Sequence, residues 1–360
     1  MTAVHAPGWA FEEAAPPQVE EVLARQRHDQ ENGHAPLMRA SVNNLVMVTQ
    51  SRTAGQRALL TIESLGARAP SRCVVLIAEP PSERQRVRSW ARVAHHRHSD
   101  TGATDVVWEE VVVQTNVDPR HLPAVVLPLL LPELPVFTYW EGTPPFADEV
   151  FQEMSSVTDR LIVDTATFGD PLADLSRFDA TARTRQPAAS DCVWSRLTAW
   201  RELLSDPFNG PPLRGTARHA RRLYVEAVDP TAGLELAGWV ASRLDWRLRE
   251  ARAVDDQYLA RYDSQAGDVE VRIASTLGSA SLTRAELGVE TDGGEATVRI
   301  EATPTSLVTT VRAPGFPTAR RFGMGSESNP LAAELEVFGR DRVFEAALRS
   351  ASELAEATGA

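Results

Sequence analysis

The sequence predicts an α/β N-terminal domain with a mixed, partly parallel sheet, followed by an α+β C-terminal domain with an antiparallel meander. Three observations in the 360-residue chain carry that expectation. In the first half an apolar β-branched run, a helix-periodic stretch and a second apolar run follow one another twice, at 41–78 and at 135–165, which is the order of a βαβ unit. After residue 250 the pattern changes to short extended segments separated by turns. Between the two patterns TRQPAASD, at 184–191, is polar, small and proline-bearing, the composition of a linker.

Taken in order, PQVEEVLARQRHD places Val19, Val22 and Leu23 on one helical stripe, within an N-terminal helical arm at 1–35. An α/β domain follows at 36–183. SVNNLVMVT, at 41–49, is its first strand. The next helix sets Ala54, Ala58, Leu59, Ile62 and Leu65 on one face, with Gly66 where it stops, and CVVLIA at 73–78 is the second strand. A right-handed crossover makes these two strands parallel. Strands at 87–94 and 106–114, joined by the polar turn HSDTGATD, pair antiparallel, so the sheet is mixed. A helix is expected at 118–131 despite its prolines. PVFTYW at 135–140, a helix at 146–156 and RLIVDT at 160–165 form the second βαβ unit, and 170–183 adds a helix. The apolar run at 122–132 is shorter than the ~18 residues of a membrane span and is broken by Pro123 and Pro128, so it reads as buried core.

After a linker at 184–192, the C-terminal domain spans 193–354. It begins with an amphipathic helix at 193–206 carrying Val193, Leu197, Trp200 and Leu204 on one side. A strand at 222–228 and a helix at 233–244 precede QYLARY, DVEVRIAS, SLTRAELGVET, EATVRIEA and SLVTTVRA, spaced as a meander with turns at Gly267 and Asp292-Gly293-Gly294. Helices at 330–338 and 341–354 close the domain over one face, and 355–360 is a frayed tail.

The net charge of -12 opposes the phosphate attraction behind nonspecific nucleic-acid affinity, so no nucleic-acid partner is expected. All 37 basic residues are arginine, which excludes a Schiff-base, P-loop or general-base lysine. Neither GxGxxG after the first strand, GxxxxGK[ST], HExxH nor GxSxG occurs. No cofactor is expected. Cys73 and Cys192 are too few for a disulfide framework. Cys73 reads as a core residue and Cys192, beside the linker, as exposed. With no basic and apolar leader at the N-terminus, the expected location is cytoplasmic, with no membrane partner.

Four groups of residues could carry chemistry or contact. His95, His96 and His98 form a histidine cluster, which reads as a solvated basic turn in preference to a metal site because no cysteine or acidic ligand motif is near. Asp159, Arg160 and Asp164 bracket the last strand of the second βαβ unit, at whose C-terminal end open α/β sheets place ligands. Their plainer role is an ion pair and a helix N-cap. Trp194, Arg196, Trp200 and Arg201 concentrate tryptophan and arginine, types enriched at interface hot spots, with Trp200 the core member of the stripe. Trp140 closes PVFTYW with a buried indole as the default. The partner- or ligand-binding candidates are therefore Trp140, Asp159, Arg160, Asp164, Trp194, Arg196 and Arg201.

The order of motifs resembles the OpcA family of glucose-6-phosphate dehydrogenase assembly proteins. The residues that carry the resemblance are NLVMV from Asn44, PSR from Pro70, PLLLPELPVFTYW from Pro128 and DRLIVDT from Asp159. WSRLTAWRE from Trp194, GWVASRLDW from Gly238 and the closing LAAELEVFGRDRVFEAAL from Leu331 continue it. The likeness runs over about 38–350, with Thr165 in place of the family's serine. It implies a noncatalytic partner that assembles or allosterically activates glucose-6-phosphate dehydrogenase in the oxidative pentose phosphate pathway. The alternative is a sugar-phosphate-binding enzyme of the same pathway, a lactonase or isomerase using Asp159, Arg160 and Asp164.

Overall fold

The computed structural model describes residues 11–31, 38–39, 41–65, 70–96, 106–184, 186–278, 280–324 and 329–359. Its internal contacts divide the chain into two units. The first comprises Met1–Val163, Thr184–Ser190 and Leu331–Arg340, and the second Asp164–Arg183, Asp191–Pro330 and Asp341–Ala360.

The first unit is built on continuous apolar runs. After β1 (Glu12–Ala14), helix α1 (Val19–Glu31) buries Val19, Val22 and Leu23, as their spacing predicts, and lies against the sheet. β2 (Met38–Arg39) and β3 (Asn43–Thr49) lead to α2 (Arg52–Leu65), capped where the Ala54 N–H donates to Ser51 Oγ at 3.2 Å. Helix α2 buries Ala58, Leu59, Ile62 and Leu65, and Gly55 lets it approach β4 (Ser71–Ala78): a Cβ there would stand 2.7 Å from Ile77 Cδ1. Every residue of β3 and β4 is buried, the signature of parallel strands covered on both faces. β5 (Val87–His96) pairs antiparallel with β6 (Val106–Thr115), which runs parallel to β4, so the expected mixed sheet forms.

The helix expected at 118–131 does not form as one piece. It is split into a 3-10 turn Pro119–His121, the short α3 (Leu122–Val126) and a second 3-10 turn Leu127–Leu129. Each proline removes a backbone donor and crowds the preceding turn. β7 (Val136–Trp140) and β8 (Arg160–Val163) are parallel, joined through α4 (Glu149–Ser156), which starts at its Asp148 cap and not at Phe146. The stretch expected as a linker carries β9 (Ala188–Asp191), the edge strand beside β8. The sheet order is β1-β5-β6-β4-β3-β7-β8-β9, with β2 on β6.

In the second unit α5 (Pro171–Ala182) is capped by Asp170, whose side chain accepts from the Ala173 N–H. The helix expected at 193–206 is divided at Leu197 into α6 (Cys192–Arg196) and α7 (Thr198–Ser205), with Val193, Leu197, Trp200 and Leu204 all buried. Cys192 is buried as well, because it begins α6 inside the fold instead of trailing from a linker.

The meander is interrupted. β10 (Ala220–Ala227), followed by α8 (Pro230–Arg243), inserts between strands that are distant from it in sequence. β11 (Arg247–Val254), β12 (Gln257–Ser264) and β13 (Gly267–Ser275) form one antiparallel run. β14 (Leu282–Thr291), β15 (Gly294–Ala302), β16 (Ser306–Arg312) and β17 (Ala319–Met324) form the other. β10 lies between β13, to which it is parallel, and β14, to which it is antiparallel. Leu223, Val225, Val271, Ile273, Leu287 and Ile300 alternate onto the buried face, and polar residues take the other.

The short helix α9 (Pro330–Leu335) belongs almost wholly to the first unit, while α10 (Arg342–Gly359) packs on α8 and α5 in the second. Helix α10 continues through most of the stretch expected to fray, burying Ala355 and Thr358 there. Among the described residues no helix is long and apolar enough to cross a membrane.

Candidate functional site

In the first unit the candidates sit at the two ends of β7 and at the start of β8. Trp140 is 3% exposed and meets the Phe151 ring edge-on, with centroids 5.6 Å apart. Asp159 is exposed, and its Oδ2 accepts the Val136 N–H at 2.8 Å while its carbonyl accepts the Ala188 N–H at 2.9 Å. Arg160 is 2% exposed. Its guanidinium donates to the Ala189 carbonyl at 3.3 Å, to Ser190 Oγ and to the Gly339 carbonyl, and lies 5.9 Å from the Phe137 ring centroid. Asp159 and Arg160 thus fasten β7, β8 and β9 together.

The remaining candidates belong to the second unit. Asp164 follows β8 directly and receives both terminal nitrogens of Arg196, at 2.7 and 2.6 Å. This bidentate bond, with Asp164 the main cause, holds Arg196 more firmly protonated than a free arginine. Trp194 is also enclosed: its Nε1 donates to Asp341 Oδ2 at 3.1 Å and its ring lies 5.5 Å from that of Phe344. The Arg201 guanidinium stacks 3.4 Å over the indole, donates to the Trp194 carbonyl at 2.5 Å and reaches Thr198 Oγ1 at 3.1 Å. The structure therefore brings together Asp164 with Arg196, and Trp194 with Arg201. The side chains of His95 and His96, and all of His98, lie outside the described residues.

A second polar cluster beside Asp164 has no counterpart among the sequence candidates. Asp191 caps α6, with Oδ1 accepting from the Val193 N–H at 2.9 Å and the Thr165 N–H at 3.2 Å. Thr165 Oγ1 lies 3.1 Å from Glu235 Oε1 and 3.3 Å from Thr231 Oγ1. Asp191 and Glu235 are both fully buried, and Asp191 Oδ2 and Glu235 Oε2 have no donor among the described residues. Burial is the main cause raising each carboxyl's pKa, and the interaction of the two raises Glu235 further. The signal in the sequence was a lone glutamate inside the apolar helix segment LELAGWVA, four positions after Thr231.

The sheet of the first unit reverses its strand order at β3, with β4 on one side and β7 on the other, the place where open α/β sheets hold ligands. The turn there is Gln50-Ser51, and no glycine opens it to a pyrophosphate. The arginines at the start of α2 face carboxylates: Arg57 Nε lies 2.5 Å from Glu141 and Arg52 Nε 3.9 Å from Glu79.

Fold and site together define a two-unit protein with a doubly wound first sheet, a turn unlike the dinucleotide cradle, and polar side chains mostly paired within their own unit. Its family is shown by two consecutive matches: residues 62–180 fit the glucose-6-phosphate dehydrogenase subunit N-terminal domain, and 187–348 the C-terminal domain of the same subunit. The chain belongs to this OpcA family. A relative from Nostoc punctiforme is 33% identical over 121 residues, 33% of this chain and 26% of that protein. One from Synechocystis is 34% identical over 129 residues, 35% of this chain and 27% of that protein. Both carry the name "Putative OxPP cycle protein OpcA", and the chain spans about a quarter of their length in these matches. An NAD binding oxidoreductase from Klebsiella pneumoniae has a TM-score of 0.48 at 12% identity, covering 89% of this chain and 96% of that one. A likeness of that size identifies neither an activity nor a cofactor.

Proposed function

We propose that this chain is a noncatalytic assembly factor and allosteric activator of glucose-6-phosphate dehydrogenase, acting by protein–protein binding in the cytoplasm within the oxidative pentose phosphate pathway. The observation that carries the reading is the match of both halves, in order, to the two domains of one dehydrogenase-subunit family. The glycine-free turn after β3 and the lysine-free sequence support a role without dinucleotide or Schiff-base chemistry. In this reading the second unit offers Arg196 and Arg201 for contact, beside Asp164 and Trp194, and the first unit separately offers Asp159, beside Trp140 and Arg160; Asp159, Arg196 and Arg201 keep exposed or half-buried surface. The lactonase or isomerase alternative has less support, since Arg160 and Asp164 are already hydrogen-bonded within their own units.

Co-purification of the chain with the dehydrogenase of the same organism, followed by kinetics with and without it, tests the proposal. A complex with altered activity, substrate affinity or oligomeric state is expected. Absence of any complex and of any change in those three quantities overturns it. Arg201→Glu should weaken the complex while circular dichroism stays that of the parent; binding undiminished in that variant removes the contact surface from the proposal.

A further inference from the structure

The polar face of the second unit's sheet is charged throughout, yet its charges are unevenly paired. On β11, β12 and β13 the register aligns Glu250, Arg261 and Glu270 in one row, and Arg252, Leu259 and Arg272 in the next. An irregularity between Leu248 and Glu250 accommodates Arg249, which lies 3.2 Å from Asp263 and 3.5 Å from Asp268. Arg261 stands between two glutamates, with its Nε 3.7 Å from Glu250. Further across the face, Glu286 is held by Arg284 and Arg299 at 2.8 and 2.7 Å, and Glu226 accepts from Tyr224 Oη at 2.8 Å.

In the row of Arg252, Leu259 and Arg272 this arrangement leaves two guanidinium groups over. Among the described residues neither Arg252 nor Arg272 forms an ion pair with a carboxylate; the Arg272 guanidinium lies 5.7 Å from the Tyr224 ring centroid. Both arginines are exposed, two strand spacings or about 10 Å apart, on either side of half-buried Leu259. A groove of about 490 Å³ runs between them, within the size range of small-ligand sites.

We propose that this groove binds a small phosphorylated molecule, with Arg252 and Arg272 gripping its phosphoryl oxygens from either side of Leu259. A carboxylate would offer these two guanidinium forks two oxygens and a single charge. A phosphoryl group has three terminal oxygens and serves both forks at once. Leu259 supplies an apolar floor, and the two glutamates flanking Arg261 disfavour a second anionic group on that side. The site does not rest on the dehydrogenase reading.

The test is a titration of the full chain, at fixed ionic strength, with inorganic phosphate, with glucose 6-phosphate and with glucose, followed through the arginine Nε–H resonances. Saturable shifts of two arginine signals are expected with both phosphoryl compounds and not with glucose. Arg252→Gln and Arg272→Gln should each weaken binding roughly tenfold, the loss of a charge-assisted contact. Arg312→Gln, on the same face but near its far edge, should leave binding unchanged, and thermal unfolding checks that all three variants fold. Shifts that grow linearly and spread over many arginines mean an adventitious ion only and overturn the proposal. Equal response to glucose, or saturable binding undiminished in Arg252→Gln and Arg272→Gln, overturns it too.

Discussion

In the first unit Glu109 and Glu110, neighbours on β6, are each met by an arginine from an adjacent strand, whereas in the second Asp191 and Glu235 meet each other. The register aligns Arg72 with Glu109 and Arg92 with Glu110, giving two ion pairs at 2.6 Å. Arg72 also donates to the Leu129 carbonyl at 2.9 Å and to Glu20 on α1 at 3.0 Å. Trp108 Nε1 gives Glu110 a further bond at 2.8 Å. Burial still raises the Glu110 pKa, with Arg92 and Trp108 drawing it back. In the second unit the nearby arginine, Arg196, is taken by Asp164, and burial raises the pKa of both Asp191 and Glu235 toward the neutral form. The difference teaches that buried carboxyls here are held in two ways, by facing arginines in the first unit and against one another in the second.

The largest expected effect is on the paired side. Arg72→Ala removes the buried one of the two arginines that meet Glu109 and Glu20, leaving them to Arg27, and should cost up to about 3–5 kcal/mol in denaturant unfolding. Joint replacement of Arg72 and Glu109 by Met and Leu should restore most of that loss. Equal destabilisation by the double substitution would break the comparison, because it would place the energy in shape and not in charge.

A smaller, pH-dependent effect belongs to Glu235. The pair's pKa is raised in the folded state, so the fold holds a proton that the unfolded chain releases. Its stabilisation is fully present below the ordinary carboxylate pKa and is lost as pH rises through the raised folded value. Glu235→Gln keeps a donor toward Asp191 without the ionisation. Unfolding midpoints between about pH 5 and 8 should fall for the parent by the equivalent of roughly 1–3 kcal/mol and stay flatter for the variant. Parallel pH profiles would show that the raised pKa of Glu235 contributes nothing to stability.

The smallest effect tests the half-buried stack on Trp194. Arg201→Ala should cost about 0.5–1 kcal/mol, the range of a partly exposed cation–π contact, and shift the tryptophan emission. A cost several times larger would make Arg201 as structural as Arg72.

Much of this architecture follows from local patterns. The β3–α2–β4 and β7–α4–β8 units, the hairpin of β5 with β6 and the buried stripe of α1 all arise from apolar periodicity and short connections. The motifs PSR and DRLIVDT were visible too, but not their roles: Arg72 and Arg160 find their partners on other strands and in segments far along the chain. Periodicity also missed the breaks at Pro119, Pro123 and Pro128, and it overlooked β9 because AASD is small and polar. An edge strand needs backbone pairing more than apolar side chains.

The sequence by itself determined the family, the fold class of each half, and an electrostatics built on arginine without lysine. Each of those is written in residue types and in spacings of a few positions. Folding in three dimensions settled the rest: β10 between β13 and β14, α9 divided from α10, Asp164 with Arg196, and the burial of Asp191 and Glu235. These depend on which distant segments become neighbours and on how completely water is removed from them, and neither quantity is a property of any local stretch of chain.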